Sequence, residues 1–200
     1  MKTPLVCLMV GLLVGATSRS GAQALEATFL GYGPSLATQG VVDGDFAVGG
    51  PAGELLFDGF SGFSVDPFQA LQLSEAVLFT IQDAATLAEI GAVQRIVGGY
   101  GASGRTGLDA AGAQWAIWEA VFDGTTNPTF LTGSVRLQDP DSAVAQRALD
   151  YLANLAGLPE VPVLYLTSPT RQDLIAAVPE PAAVVLAAGA LGWLGLRRRR

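Results

Sequence analysis

Histidine is absent from the 200 residues, and cysteine occurs once, as Cys7. Without imidazole, the chain can form neither a Ser-His-Asp catalytic triad nor a histidine-ligated zinc site. Cys7 lies in an apolar N-terminal segment, so the rest of the chain cannot form a disulfide, a thiolate metal site or a cysteine nucleophile. The single lysine is Lys2, which excludes Schiff-base chemistry further along. Paired carboxylates are the acid–base chemistry that these residue types leave open.

Positive charge is also scarce away from the chain ends. Five arginines and all eighteen acidic residues lie between Leu25 and Leu196, which gives that segment a net charge of −13. Such an excess of negative charge repels nucleic-acid phosphates and favours a soluble, self-repelling surface. Asp43 and Asp45 lack the glutamate that closes an EF-hand loop, so we interpret them as a solvated turn. We therefore expect no nucleic-acid partner, no cofactor and no metal site.

The first 24 residues have the pattern of a secretory signal peptide. Met1-Lys2 supplies a positive start, residues 5–16 form the apolar segment, and Ala22-Gln23-Ala24 is an A-x-A cleavage site. Cleavage after Ala24 would leave a mature chain that begins at Leu25. The expected partners at this step are the Sec translocon and signal peptidase, and the expected route is export across the inner membrane.

Residues 178–200 combine an extended tetrapeptide with a short apolar helix. The two prolines of Val178-Pro179-Glu180-Pro181 fix φ and remove backbone donors, which favours an accessible extended segment. Residues 182–196 carry no charge. As a helix they would span a little over 20 Å, at about 1.5 Å per residue, against roughly 30 Å for a bilayer core. The cluster that would hold the end of this hydrophobic helix in the cytoplasm is Arg197, Arg198, Arg199 and Arg200.

This order of motifs resembles the PEP-CTERM sorting tail of exported Gram-negative bacterial proteins. The resemblance implies recognition by an exosortase, a membrane protease-transpeptidase that would cut near Pro179-Glu180-Pro181. The protein would be held transiently in the inner membrane by its C-terminal helix and would then reach the cell surface or the extracellular space. A plain C-terminal membrane anchor is the alternative, but such an anchor has no need of the Pro-Glu-Pro sequence.

Residues 25–177 predict one α+β domain. Alternating apolar residues and turn residues indicate strands, and apolar residues at helical spacing indicate about three helices after the first strands. The architecture we expect is an antiparallel sheet or small barrel packed with these helices, flanked by the signal peptide (1–24) and the sorting tail (178–200). The strands are predicted at residues 26–32, 41–48, 54–65, 77–81 and 162–168, with breaks at Gly33-Pro34-Ser35 and Gly49-Gly50-Pro51.

The helices are predicted from capping residues and glycine stops. Asp83, Asp109 and Asp141 are the expected N-caps, because a short acidic side chain can accept bonds from the first free N–H groups of a helix. The first helix is expected to end at Gly98-Gly99, before a flexible connector over residues 98–107. Residues 167–177 are expected to form a polar exit into the tail.

The second helix, at residues 110–122, contains an amide in its apolar stripe. Gln114 shares a face with Ile117 and Trp118, while Trp115 is expected at the edge of that face. A buried amide without partners costs about 1–3 kcal/mol. Gln114 is therefore expected to bond to the backbone or to a polar side chain of another element.

The sequence around Gln114 carries a second resemblance. Gly112-Ala113-Gln114-Trp115-Ala116-Ile117-Trp118-Glu119, preceded by Arg95-Ile96-Val97-Gly98-Gly99-Tyr100, resembles the Q-x-A-I-W helix of thioester domains in bacterial surface adhesins. In that family the glutamine condenses with a cysteine on an earlier strand, and the thioester reacts with nucleophiles on a target surface. The matching string here is Phe63-Ser64-Val65-Asp66, with serine at the cysteine position. Because no histidine can activate that hydroxyl, the resemblance implies a vestigial pair, Ser64 and Gln114, joined by a hydrogen bond.

Three functional classes are compatible with these residues. The expected one is an exported, noncatalytic surface or extracellular-matrix protein, associated with biofilm or exopolysaccharide. The second is an adhesin-like relative of thioester domains with residual Ser64–Gln114 chemistry. The third is a secreted hydrolase that uses Glu119 and Asp123, which lie at i and i+4 on one helix. Carboxylates at such positions usually form a solvated helix face, so no enzymatic activity is predicted.

Overall fold

The computed structural model describes residues 23–178 of the chain. Residues 1–22, with most of the predicted signal peptide and Ala22, and residues 179–200, with Pro179-Glu180-Pro181 and the arginine cluster, lie outside those residues. The described part is α+β, as the sequence predicts, and none of its helices is long and apolar enough to cross a membrane. Its strands and α-helices are β1 (Gln23–Val42), β2 (Phe46–Phe57), β3 (Phe60–Ser64), β4 (Ala76–Gln82), α1 (Ile90–Ala102), α2 (Gly107–Phe122), β5 (Arg136–Leu137), α3 (Ala143–Ala153), β6 (Val163–Thr167) and β7 (Leu174–Ala177).

Six of the strands close into an antiparallel ring. β1 pairs with β2 and β2 with β3, and the ring continues through β7, β6 and β4 back to β1. The small-barrel form of the prediction describes this closure better than an open sheet does. Inward-facing side chains from these strands form an apolar core of their own, comprising Ala27, Phe29, Leu55, Phe57, Val77, Phe79, Leu166, Leu174 and Ala176.

The first two strands extend beyond the ring as a long hairpin. The predicted turn at Gly33-Pro34-Ser35 is wrong: β1 runs through it, with a shift of register between Tyr32 and Ser35. A bulge absorbs the irregular residues without reversing the chain. The reversal occurs at Asp43-Gly44-Asp45, where Asp43 and Gly44 have φ of 54° and 77°, the left-handed geometry of a tight hairpin turn. The predicted break at residues 49–51 is also wrong, because β2 continues through Gly49-Gly50-Pro51. We call residues 35–42 and 46–53 the hairpin arm.

Helix α2 lies at the centre of the second apolar core, between the hairpin arm and the other two helices. Every residue from Ala110 to Ala120 is buried, including Trp115, which the sequence placed at the edge of one stripe. Helix α2 therefore has apolar neighbours on all sides, which a single stripe does not predict. Its N-cap is Thr106 and not Asp109, which is the third residue of the helix and completes a capping box with Thr106.

The boundaries of the other helices also differ from the prediction. Asp83 caps only a short 3-10 turn, and α1 begins at Ile90 after Glu89 adopts φ 53°. Helix α1 then passes through Gly98-Gly99 and ends at Ala102, which reduces the expected flexible connector to four residues. A Cβ at position 98 would lie 2.0 Å from the carbonyl oxygen of Pro159, so Gly98 permits close packing and does not stop the helix. Helix α3 is capped by Ser142, the neighbour of the predicted Asp141.

The end of the domain is a strand and not the predicted polar exit. β7 lies between β3 and β6, and Leu174, Ile175 and Ala176 are all buried. Its four residues are too few to show a periodic pattern, so apolar spacing alone does not predict this strand. Val178 follows directly and donates its N–H to the carbonyl of Pro162 at 2.9 Å.

Candidate functional site

The structure brings Ser64 and Gln114 together. Ser64 is the last residue of β3, Gln114 lies on α2, and their exposed fractions are 3% and 2%. The backbone N–H of Ser64 donates to Gln114 Oε1 at 3.0 Å, and Gln114 Nε2 donates to the carbonyl of Ser64 at 2.8 Å. The side-chain amide thus pairs with one residue of β3 as a neighbouring strand would.

The serine hydroxyl takes no part in this pairing. Ser64 Oγ donates to the carbonyl oxygen of Asp66 at 2.6 Å, which is a local turn contact. No titratable side chain is hydrogen-bonded to the hydroxyl among the described residues. A nucleophile needs an adjacent base or a lowered pKa, so the arrangement gives Ser64 no means of attacking the Gln114 amide. The contact is a packing bond between the barrel and α2.

A pocket of about 340 Å³ adjoins this pair, between the hairpin arm, the segment after β3 and α2. Ser64 and Gln114 form part of its wall, together with the aromatic residues Tyr32, Phe46, Phe68 and Trp118. None of its lining side chains is charged. Trp118 is 6% exposed, and its indole Nε1 has no hydrogen-bond partner among the described residues. Apolar spacing predicts Trp118 on the stripe of α2. It does not predict that Phe46 and Phe68 line the same pocket, because these residues come from distant segments of the chain.

Two carboxylates, Asp66 and Asp173, lie together near Ser64. Asp66 belongs to the string Phe63-Ser64-Val65-Asp66 named above, whereas no pattern in the sequence indicates Asp173 beside it. The backbone N–H of Asp173 donates to Asp66 Oδ1 at 3.4 Å. Burial, followed by the charge of Asp173, raises the pKa of Asp66 to about 6. Asp173 accepts from the hydroxyl of Tyr165 at 3.2 Å, and burial and Asp173 raise the pKa of that phenol to about 12. These bonds hold the turn after β3 against the strand pair β6–β7.

Another carboxylate, Glu54, is buried and connects the barrel to α1. Glu54 is 3% exposed and accepts hydrogen bonds from Ser61 Oγ at 2.5 Å and from the hydroxyl of Tyr100 at 3.0 Å. It also forms an ion pair with Arg105. Burial raises the pKa of Tyr100 to about 12, so the phenol stays a donor to the carboxylate. Together these three partners occupy both carboxylate oxygens of Glu54. The cluster therefore has a structural role.

The two carboxylates proposed for a hydrolase differ in exposure, since Glu119 is buried and Asp123 is exposed. Glu119 is 2% exposed, and its Oε1 accepts from the N–H of Thr129 at 3.0 Å. Asp123 accepts from the N–H groups of Ser134 and Val135 at 2.9 and 2.8 Å. Both side chains therefore fasten the loop at residues 124–135 to the end of α2. The prediction of a solvated face is therefore wrong for Glu119, which lies in the enclosed part of α2, whereas Asp123, at the C-terminal end of the helix, is exposed to solvent.

Burial changes the acidity of Glu119. Its Oε2 has no hydrogen-bond partner among the described residues, and burial raises the pKa of the carboxyl to about 7. The N–H of Thr129 opposes this shift, and the charge of Asp123 adds to it. Glu119 is thus a protonatable structural group at near-neutral pH.

The remaining predicted residues lie at or beyond the ends of the described chain. Ala24 is exposed and pairs with Thr80 in the β1–β4 ladder, and Val178 follows β7. Residues 23–178 contain no group of three or more histidine, cysteine, aspartate or glutamate side chains placed to hold a metal ion. Comparisons with protein-family models, with curated proteins and with solved structures give no match.

Proposed function

We propose that this is an exported, noncatalytic surface or extracellular-matrix protein that an exosortase sorts through its C-terminal tail. The observation that carries the proposal is the order Val178-Pro179-Glu180-Pro181, uncharged segment, four arginines, at the end of a chain that begins with a signal-peptide pattern. In this proposal the Sec translocon and signal peptidase act first. The inner membrane then holds the chain until the exosortase cuts near Glu180.

The boundary of the folded domain supports this sequence of events. β7 ends at Ala177, and the backbone of Val178 makes a bond to Pro162. The Pro-Glu-Pro sequence begins at the next residue, so a cut there leaves every strand of the barrel intact. The roles of Glu54, Glu119 and Asp123 in fastening segments together also favour a noncatalytic domain.

The test is the intact mass of the full chain, expressed in an exporting host with and without an exosortase. With the exosortase, the product should lack residues 1–24 and the arginine cluster. Without it, the product should keep the arginines. Glu180→Ala should block the C-terminal cut, whereas Glu160→Ala should not, although Glu160 also follows a proline. Recovery of the unprocessed chain from the cytosol of an exporting host would overturn the proposal.

The Ser64–Gln114 contact favours a second candidate, a relative of the adhesin thioester domains. Loss of one ammonia, about 17 Da, from the wild-type protein would reveal a covalent Ser64–Gln114 link. The more sensitive test is Ser64→Cys, which restores the residue type of that family. A loss of about 17 Da that appears in Ser64→Cys and disappears in the double variant with Gln114→Ala would support the relationship. An unchanged mass in Ser64→Cys would remove it.

A further inference from the structure

The pocket beside Ser64 and Gln114 is neutral in a strongly acidic domain. Its wall contains apolar, hydroxyl and amide side chains and no carboxylate or guanidinium group. A charged ligand would lose its hydration there without gaining a counter-charge, which costs several kcal/mol. The lining therefore selects for an uncharged ligand.

The pocket wall also carries hydrogen-bonding groups that the protein leaves unused. Gln172 is half-buried in the wall, and its side-chain amide makes no hydrogen bond among the described residues. Gln114 uses one N–H and one oxygen lone pair on Ser64, so an amide retains one further donor and one further acceptor site. Thr38 Oγ1 accepts from Trp115 Nε1 at 3.0 Å, which leaves its own proton to donate. These groups suit a ligand rich in hydroxyls, which can both donate and accept.

Aromatic rings make up the exposed part of the same wall. Tyr32, Phe46 and Phe68 are 47%, 40% and 38% exposed, although large aromatic side chains are normally covered. Phe46 and Phe68 contact each other edge to face, with ring centroids 5.1 Å apart. Exposed ring faces can stack on the flat C–H faces of a pyranose ring, while the hydroxyls at its edge reach the polar groups.

We propose that this pocket binds a neutral saccharide. The sugar ring stacks on Phe68, beside the perpendicular ring of Phe46, and its hydroxyls bond to Gln114 and to Gln172, which is half-buried in the same wall. The volume of about 340 Å³ admits one or two hexose units of a longer chain. This inference depends on the pocket alone and holds whether or not the C-terminal tail is cut.

An extended peptide added to the free edge of β2 fits the pocket less well. Residues 46–53 pair with β1 on one edge, and their other edge borders the pocket. Pro51 has no N–H to donate, and Gly50 and Gly53 have φ of 116° and 149°, which interrupts the regular bonding that strand addition needs. The neutral polar side chains described above have no role in strand addition.

The full chain should be titrated by calorimetry with neutral tetrasaccharides of glucose, mannose and N-acetylglucosamine, and with tetragalacturonate as a charged comparison. We expect binding of at least one neutral probe and none of tetragalacturonate. Phe68→Ala and Gln172→Ala should each weaken binding about tenfold. The control is Leu78→Ala, which removes an exposed apolar side chain outside the pocket and should bind as the wild type does.

The Gln172→Ala variant separates loss of binding from loss of folding. The Gln172 side chain makes no hydrogen bond among the described residues, so this variant should keep the melting temperature of the wild type. Three results would overturn the proposal. One is that no neutral saccharide binds, and another is that both pocket variants bind as tightly as the wild type. The third is that an extended peptide binds at the pocket while every saccharide fails.

Discussion

A glutamine side chain carries the same donor and acceptor as a peptide unit, and Gln114 uses both on the backbone of Ser64. We predict that Gln114→Leu, which keeps the volume and removes the amide, lowers the free energy of unfolding by roughly 2–4 kcal/mol. The reason is that the buried N–H and C=O of Ser64 lose their partner. Urea denaturation measures the loss.

Ser64→Ala is the matched control for that variant. It removes only the hydroxyl bond to the carbonyl of Asp66 and keeps both backbone bonds to Gln114. Its expected cost is about 1 kcal/mol. Equal losses in the two variants would mean that the hydroxyl, and not the backbone pairing, stabilises this contact.

Glu119 should make stability depend on pH. Its pKa rises from 4.5 to about 7 on folding, so the folded state binds the proton more tightly than the unfolded state. The stabilisation that comes from this tighter proton binding is fully present below pH 4.5 and is lost as the pH rises through about 7. Glu119→Gln stays neutral, and we expect it to exceed the wild type by about 3 kcal/mol at pH 8 and to match it near pH 4.

Chemical denaturation between pH 4 and pH 8 measures this difference. Asp66 contributes a smaller slope of the same sign, because burial and Asp173 raise its pKa to about 6. The Glu119→Gln variant should therefore keep part of the slope, and Asp66→Asn should remove a different part. A Glu119→Gln variant with the full wild-type slope would show that Glu119 is not the titrating group.

At the scale of the secondary-structure element, the glycines of α1 have opposite roles. A Cβ on Gly98 would meet the backbone of Pro159, whereas a Cβ on Gly101 would meet nothing within 4 Å. Gly98→Ala should therefore destabilise the protein by roughly 1–3 kcal/mol, because a backbone carbonyl cannot move aside as a side chain can. Gly101→Ala should stabilise it by roughly 0.5–1 kcal/mol, because alanine is the better helix former. Thermal unfolding of the two variants, with shifts of opposite sign, is the check.

The same helix shows what the sequence could and could not predict. Apolar spacing identified the helical segment and the buried face that holds Gln114, since those depend on neighbours along the chain. Apolar spacing could not show whether Gly98 ends the helix or allows another segment to pack closely against it. The answer depends on Pro159, which is distant in sequence. The turn predicted at Gly33-Pro34-Ser35 is wrong for a similar reason, because only the pairing with β2 shows that the strand continues through these residues as a bulge.

In the candidate site as well, features that depend on neighbouring residues could be predicted and features that depend on distant residues could not. The sequence predicts that Gln114 is buried and bonded to another element, and the structure confirms both. The neutral pocket requires Phe46, Phe68 and Trp118 to meet from three separate segments, and no local pattern encodes that meeting. The burial of Glu119 likewise depends on the loop at residues 124–135 folding back over α2.

At the scale of the molecule, the two ends of the domain differ in how much the barrel depends on them. The proposed signal cleavage after Ala24 would remove the pairs of Gln23 with Ile81 and of Ala24 with Thr80, but β4 would keep its bonds to β6 and to the rest of β1. We predict that a chain of residues 25–178 unfolds cooperatively in one transition. Loss of residues 174–178 should abolish that transition, because β7 joins β3 to β6 and its removal opens the ring. Circular dichroism melts of both chains distinguish these outcomes, and a cooperative melt of the shorter chain would refute the role given to β7.

The position of β7 also imposes an order in time. Gly62 pairs with Ala176, so a strand made early must remain without its neighbour until almost the whole domain has emerged. A chain moving through a translocation channel from its N-terminus can assemble the hairpin and the helices as they appear. If the chain is exported as proposed, it cannot close the barrel before β7 has crossed the membrane, so the domain would complete its fold only after translocation.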